Sequence, residues 1–379
     1  MKILLVGEFS RLHNSLKEGL EFLGHEVKIV ATGDDFKKFP MDYNFAAKSV
    51  NSSILLSSIN RVSRKILKID LEKIEKAIRF QKMLLKLKNY DVVQIINSDA
   101  LETYPFLSKK LFAKLFYQNK KISLLICGDE TPIVEVQLKN NLKYSVLTPL
   151  FENNKYKKFY NYTLKFVKKN HQNLFAFLLK KSNVVVASDL DYVIPLQQTN
   201  INFTHIPNPV NVDKLRYQST EITDKIVIFL GKNKFSALKK GTLYFEEALT
   251  IIAKKYPQKV TIKTANSIPY ELFQQWIDES HIILDQIYAF DQGYNALEAM
   301  AKGKVVFTGA ETEFYEYYNL EQTVAVNALP NVDFLVEKLS YLIENPEEIT
   351  AIAQNARQFI EEKHHYVNVA KKYLGVWNA

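Results

Sequence analysis

One cysteine, Cys127, stands in a chain of 379 residues. No intramolecular disulfide can form, and the spacing around Cys127 is that of neither a metal motif nor a redox motif. No apolar stretch approaches the roughly 18 to 20 residues needed to cross a bilayer. The opening MKILLVGEF carries one lysine and a short apolar run ending in Gly-Glu, without the long apolar region or small-residue cleavage site of a secretory leader. It reads as a buried first strand, and a reducing, cytoplasmic setting is expected. Short-period repeats and a low-complexity tail are also missing. No group of His, Cys, Asp or Glu has metal-site spacing, so no metal and no other cofactor is expected. Nor does any stretch match a nucleic-acid-binding motif, which removes nucleic acid from the expected partners despite a net charge of +9.

The length suffices for about two domains, each with its own core. Charge is uneven along it: 32 Lys and Arg accompany 19 Asp and Glu through Asn208, against 18 and 22 in the remainder. A basic half of this kind suits an anionic partner such as lipid headgroups or a phosphorylated substrate. Apolar, β-branched runs recur in it, KILLVGE, EVKIVA, DVVQIIN, ISLLICG and NVVVAS, with helical patterns such as Leu12 to Leu23 between them. Continuous apolar strands alternating with helices predict a parallel sheet covered on both faces. After IPNPVNVDKL, whose two prolines make a stiff connector, the pattern restarts with KIVIFLG, VTIKTAN, HIILDQ, VVFTG and TVAVN. The expected class is α/β: two Rossmann-like, doubly wound parallel-sheet domains, 1–208 and 209–359, with the cleft between them as the default ligand site.

Two basic stretches lie in the first half. Residues 153–169, NNKYKKFYNYTLKFVKK, mix six lysines with five aromatic residues. They read as a solvated helix whose aromatics pack inward, or as a contact for a membrane surface or polyanion. Residues 61–88 read as a second basic helical stretch with a solvated face.

The segment DQGYNALEAMAKGK, 291–304, turns from loop to helix at Gly293. The first N–H groups of a helix lack internal partners and carry partial positive charge, so an anion such as phosphate is their natural ligand. Strand KIVIFLG ends in Gly231-Lys232, and Lys240 follows before Gly241. Two cations near strand ends, opposite such a helix start, would surround a diphosphate from two sides; taken alone they read equally as solvated surface lysines. Glu298 sits in the helix among Ala296, Leu297 and Met300, where its carboxylate needs donors such as ribose hydroxyls or a neighbouring amide or lysine.

Residues 225–310 resemble the donor-binding half of a GT-B glycosyltransferase, in particular the retaining enzymes of glycosyltransferase family 4. The resemblance rests on the Gly231-Lys232 pair, the Lys240-Gly241 pair and the block GYNALEAMAKGK followed by VVFTG. It implies that Lys232 and Lys240 bind the donor diphosphate and assist its departure, that the helix start at Tyr294, Asn295 and Ala296 binds phosphate, and that Glu298 holds the ribose. The family's motif has a second glutamate ahead of this one, with seven residues between the two, touching the donor sugar. Here Phe290 occupies that place, with Asp291 beside it as the candidate substitute. Over the whole chain the resemblance extends to the two Rossmann-like halves and to a C-terminal helix, about 360–379, returning to the first domain.

In the first domain the resemblance places Asp129, at the end of ISLLICG, near the reacting carbon; a helix N-cap explains the same residue equally well. Gly7 would let the loop after the first strand approach the diphosphate. His13, entering a helix, reads as structural. Ser188 and Asp191, in a run that also contains D-x-D, read as a capping box rather than a metal site. The implied activity is a retaining, hexosyltransferase-type transfer from a nucleotide diphosphate sugar to a glycan or lipid-linked glycan, in surface polysaccharide or glycolipid assembly. The lysines from 155 to 169 would then hold the protein peripherally at an anionic inner membrane face. The alternatives are a nucleotide-sugar epimerase of similar fold and a non-catalytic partner that binds nucleotide or glycan.

Overall fold

The computed structural model describes residues 1–33, 38–219, 222, 224–233, 236–266 and 268–379. The apolar runs form two sheets. β1 (Lys2–Val6), β2 (Glu26–Ala31), β3 (Tyr43–Asn44), β4 (Val92–Ile95), β5 (Lys121–Ile126), β6 (Val184–Ala187) and β7 (Thr204–His205) lie in the order β3-β2-β1-β4-β5-β6-β7. β8 (Ile226–Lys232), β9 (Val260–Asn266), β10 (Ile282–Leu284), β11 (Val305–Thr308) and β12 (Val326–Asn327) lie in the order β12-β11-β10-β8-β9. Every pairing within the two sheets is parallel. Parallel strands need crossover helices, and these bury the central strands on both faces: Ile3, Leu4, Leu5 and Val6 are fully buried, as are Ile228, Phe229 and Leu230. The α/β reading with two doubly wound sheets therefore holds.

Strand order reverses between β1 and β4 in the first sheet and between β8 and β10 in the second. Crossovers leave in opposite directions at such a point and open a crevice at the strands' carboxyl ends. The loops that begin at Gly7, Asn97, Lys232 and Asp285 emerge there.

The final helix, Tyr366–Asn378, packs against the helix Leu12–Phe22 of the first domain, burying Tyr373 and Trp377. Lys121 Nζ donates to the Trp377 carbonyl at 2.7 Å, and Val210 forms an isolated parallel bridge with His365. The contact is close because Gly19 has no side chain: a Cβ there would lie 2.4 Å from the Tyr366 carbonyl oxygen and 2.9 Å from Ala370 Cβ.

Two local expectations need correction. Residues 153–169 form no single helix but two short 3-10 stretches, Asn154–Asn161 and Thr163–Val167. Tyr160 and Phe166 do pack inward, yet Lys165 goes in with them, its Nζ 2.6 Å from Asp99 Oδ2. Burial pulls the Lys165 pKa down and the Asp99 charge opposes that shift. Residues 61–88 are likewise divided, between the helices Ile54–Ile66 and Leu71–Met83, with Lys68 at φ +58° in the break.

Gly19→Ala should overpack the seam between the first and last helices and cost about 1 to 3 kcal/mol, read as a lower melting temperature. Unchanged melting would show that the return helix is held elsewhere.

Candidate functional site

Among the described residues, three lysines between the end of β8 and the helix Thr242–Lys255 each hold a carboxylate. Lys232 pairs with Glu246 of that helix. Lys240 Nζ lies 2.6 Å from Asp285 Oδ1, just beyond β10. Lys239 reaches into the first domain, where its Nζ donates to Asp129 Oδ2 at 3.0 Å and to Thr163 Oγ1 at 2.6 Å. Thr163 in turn donates to the same Asp129 oxygen at 2.6 Å. The only sequence signal for Lys239 is its place in the lysine pair before Gly241, which does not distinguish it from a surface lysine.

Asp129 is free for this contact because its neighbour does the capping. Glu130, fully buried, accepts from Thr131 N at 2.8 Å at the start of the helix Thr131–Gln137. It also accepts from Ser98 N and Oγ, both at 2.7 Å, while burial pushes its pKa up to about 7. The N-cap reading of Asp129 is thus replaced by Glu130. Asn97 Nδ2 fixes the loop by donating to the carbonyls of Cys127 and Asp129, each at 2.9 Å.

Across the crevice, Gly293 is the N-cap of the helix Tyr294–Ala301. A Cβ on Gly293 would stand 3.7 Å from Asp285 Oδ2, an oxygen that is buried and without a hydrogen-bond partner among the described residues. One carboxylate therefore meets Lys240 through one oxygen and neighbours the helix start with the other. Asn295 is half-buried, and Ala296 fully buried. Glu298 is 5% exposed and accepts from Gln274 Nε2 at 3.3 Å. The Tyr294 hydroxyl bonds Ser15 Oγ at 2.6 Å and the Pro209 carbonyl, so its ring ties the helix start to the first domain.

The remaining glycines and His13 shape the rim. Gly7 takes the left-handed φ of +86°, its carbonyl accepting from His13 Nδ1 at 2.7 Å. His13 is buried and held neutral, its pKa lowered to about 4 by desolvation, which fits the structural reading. At Gly231 a Cβ would stand 2.5 Å from the Phe273 ring, so packing alone accounts for a glycine there.

Phe290 and Asp291 face the first domain. The Phe290 ring packs on Tyr144 with centroids 5.5 Å apart, and its N–H donates to Asp191 Oδ1 at 2.7 Å. Asp291 accepts from Leu190 N through Oδ2 at 3.1 Å and from Gln292 N through Oδ1 at 2.7 Å. The capping box expected at Ser188 and Asp191 is not formed: Asp189 is the N-cap of Leu190–Leu196 and makes no side-chain cap bond, and Asp191 crosses to Phe290 instead. Tertiary pairing has overridden the local motif. The buried Asp189 and Asp291 and the half-buried Asp191 are consequently three carboxylates gathered where the domains meet. Desolvation raises the pKa of each, Asp291 to about 6, and mutual repulsion adds to the effect at Asp189 and Asp191.

A carboxylate whose folded pKa is raised holds a proton that the unfolded chain releases, so stability falls as pH rises toward the folded value. The buried histidines, with lowered pKa, act in the opposite sense but only below about 6.5. Between pH 6.5 and 8 the raised carboxylates, Glu130 among them, act in the first sense, with a slope of at most about 1.4 kcal/mol per pH unit per proton, and Lys304, lowered to about 8, acts in the opposite sense toward the upper end. Asp191→Asn keeps the acceptor for Phe290 N and removes the charge. Thermal melts should show it gaining more stability at pH 8 than at pH 5; an equal shift at both would contradict the assignment.

Residues 235–375 match the family described as glycosyl transferase-like. No curated protein sequence matches the chain. Among solved structures, sucrose-phosphate synthase from Thermosynechococcus elongatus is similar, with a TM-score of 0.61 and 14% identity over 100% of this chain and 98% of that one. HepE from Anabaena, in complex with UDP-glucose, gives a TM-score of 0.58 and 11% identity over 100% and 99%. TarM gives 0.59 and 12% over 100% and 98%. Two parallel sheets, a crevice at their switch points and these likenesses agree: the chain has the GT-B fold of glycosyltransferases, and its residues 235–375 are glycosyl transferase-like.

Proposed function

We propose that the protein transfers a sugar from a nucleoside diphosphate sugar to an acceptor held in the cleft, with retention of configuration. The observation that supports this most is the convergence of Lys239, Lys240 and the Gly293 helix start on the crevice beside β8 and β10. The ion pairs they make, Lys239 with Asp129 and Lys240 with Asp285, are largely buried and so hold both ammonium groups in place. A diphosphate offers these cations and the helix start more charge and more acceptor oxygens than a carboxylate does. UDP-glucose in the HepE structure supports the same donor class.

In the transfer the bond from the anomeric carbon to the diphosphate oxygen breaks and its electron pair leaves with the diphosphate. The acceptor oxygen bonds to that carbon on the same face, and its proton passes to a phosphate oxygen. Negative charge grows where the lysines and the helix N–H groups stand, and each preorganised donor of this kind lowers the barrier by about 3 kcal/mol. Asp129, held by Lys239 and Thr163, faces the positive charge that develops on the sugar. Glu298 takes the ribose hydroxyls. The basic first half favours an acceptor at an anionic surface, such as a lipid-linked glycan on an inner membrane leaflet, as in surface polysaccharide assembly.

Thermal melts with a panel of nucleoside diphosphates and their sugars test this. A fitting ligand at 100 times its Kd should add about 2.7 kcal/mol of stability. Lys240→Ala should still fold, melting lower without ligand because the buried Asp285 loses its cation, and should lose most of that ligand-induced shift and slow transfer. Equal donor affinity in wild type and variant would remove Lys240 from the site. Glu298→Gln should weaken ribose-containing donors by about 1.5 to 3 kcal/mol. Normal binding by a variant that merely melts early would make Glu298 structural.

A further inference from the structure

The helix Ile54–Ile66 is docked by its polar side. Asn60 and Ser63 are the residues it buries. Asn60 Oδ1 accepts from Leu71 N at 2.7 Å, and Ser63 Oγ donates to the Ile69 carbonyl at 3.0 Å. The helix is thus fixed to the start of the next one, Leu71–Met83, by hydrogen bonds rather than by an apolar stripe. Its apolar stripe faces outward. Leu55, Ile59, Val62 and Ile66 recur at intervals of four, three and four residues and are 69%, 46%, 56% and 70% exposed. Spacing of that kind puts all four on one helical face. This corrects the solvated basic face expected for the stretch beginning at residue 61.

Charge identifies what covers the stripe. Between Lys48 and Ile69 the sequence has five cations, Lys48, Arg61, Arg64, Lys65 and Lys68, and no carboxylate. The four at 61–68 are all exposed. On the helical wheel Arg61 and Lys65 lie on one side of the apolar stripe, opposite the flank that holds Ser63, while Arg64 stands on the far face beside Asp70 and Lys68 follows the helix end. Beside the next helix, Leu71–Met83, a groove of about 1000 Å³ likewise combines apolar residues, Ile78, Leu85 and Tyr117, with the cations Lys82 and Lys114. An isologous dimer through the stripe would set this cationic strip against its own copy, which disfavours a second chain as the cover. An anionic bilayer surface satisfies both halves of the pattern, with headgroups for the cations and the acyl boundary for the stripe.

We propose that the helix Ile54–Ile66 lies in the interface of an anionic membrane and is the part of the chain that seats the first domain there. It deepens the reading of an acceptor at an anionic surface, and it moves the contact away from residues 155–169, whose Lys165 is turned inward toward Asp99. The helix works without inserting across the bilayer, since among the described residues no helix is long and apolar enough to span it.

Sedimentation with vesicles tests the proposal without any use of sugar transfer, so failure of the enzymatic reading leaves the result untouched. Wild type should sediment with phosphatidylglycerol-containing vesicles at low salt and not with phosphatidylcholine alone. A combined Leu55→Ser, Ile59→Ser, Val62→Ser and Ile66→Ser variant, changed only at exposed positions, should bind at least ten-fold more weakly and keep the wild-type melt. Arg61→Gln, Lys65→Gln and Lys68→Gln together should weaken binding on the order of a hundred-fold, each cation contributing roughly five-fold. Three outcomes overturn the proposal: wild type that ignores phosphatidylglycerol, serine substitutions that leave vesicle binding unchanged, or a wild-type dimer that the same substitutions dissolve.

Discussion

The ion pair between Lys239 and Asp129 is the contact on which the geometry of the cleft depends. It joins the loop after β8 to the loop after β5, and Thr163 fixes the carboxylate from a third side. Lys240 and Lys232 stand on the same connection, paired with Asp285 and Glu246 inside their own domain. The cations that would meet a diphosphate are thereby held in place by carboxylates, so the side chains are ordered before any ligand arrives. Preorganisation of this sort lets charge stabilisation act without reorganisation at the moment of reaction.

Other contacts across the cleft share the task. The Tyr294 hydroxyl bonds both Ser15 and the Pro209 carbonyl, and Glu311 takes Lys143, Tyr144 and Asn327. The three aspartates at 189, 191 and 291 work against the same closure, because each is desolvated beside the others. Negative charge on that cluster and ion pairing at Asp129 are therefore opposing influences on one interface, and proton uptake by the cluster relieves the opposition. The exposed apolar helix Ile54–Ile66 lies in the first domain, remote in sequence from these contacts, and so can seat that domain without touching the donor machinery.

Much of this was legible in the sequence. Apolar β-branched runs gave the strands of both sheets, and the change from Gly293 to Tyr294-Asn295-Ala296 marked a helix start where the structure has one. Local signals failed wherever a distant partner decided the outcome. Ser188 and Asp191 have the spacing of a capping box, but the Phe290 N–H is the donor that Asp191 meets. Asp129 and Glu130 are adjacent carboxylates, and only the position of Ser98 shows which of them caps. Lys239 and Lys240 differ by one place and point to different domains, a distinction no periodicity encodes. The inward turn of Asn60 and Ser63 depends on the next helix beginning at Leu71, so the same hydrophobic pattern that usually marks a buried face here marks an exposed one.

The central claim is that the cleft recognises the diphosphate group itself, through cations now held by carboxylates. Calorimetry comparing one nucleoside with its monophosphate and its diphosphate measures this directly. The account predicts that affinity rises at each step, with the diphosphate at least ten-fold tighter than the monophosphate and its advantage shrinking as salt is added. Equal affinity for nucleoside and diphosphate would contradict it.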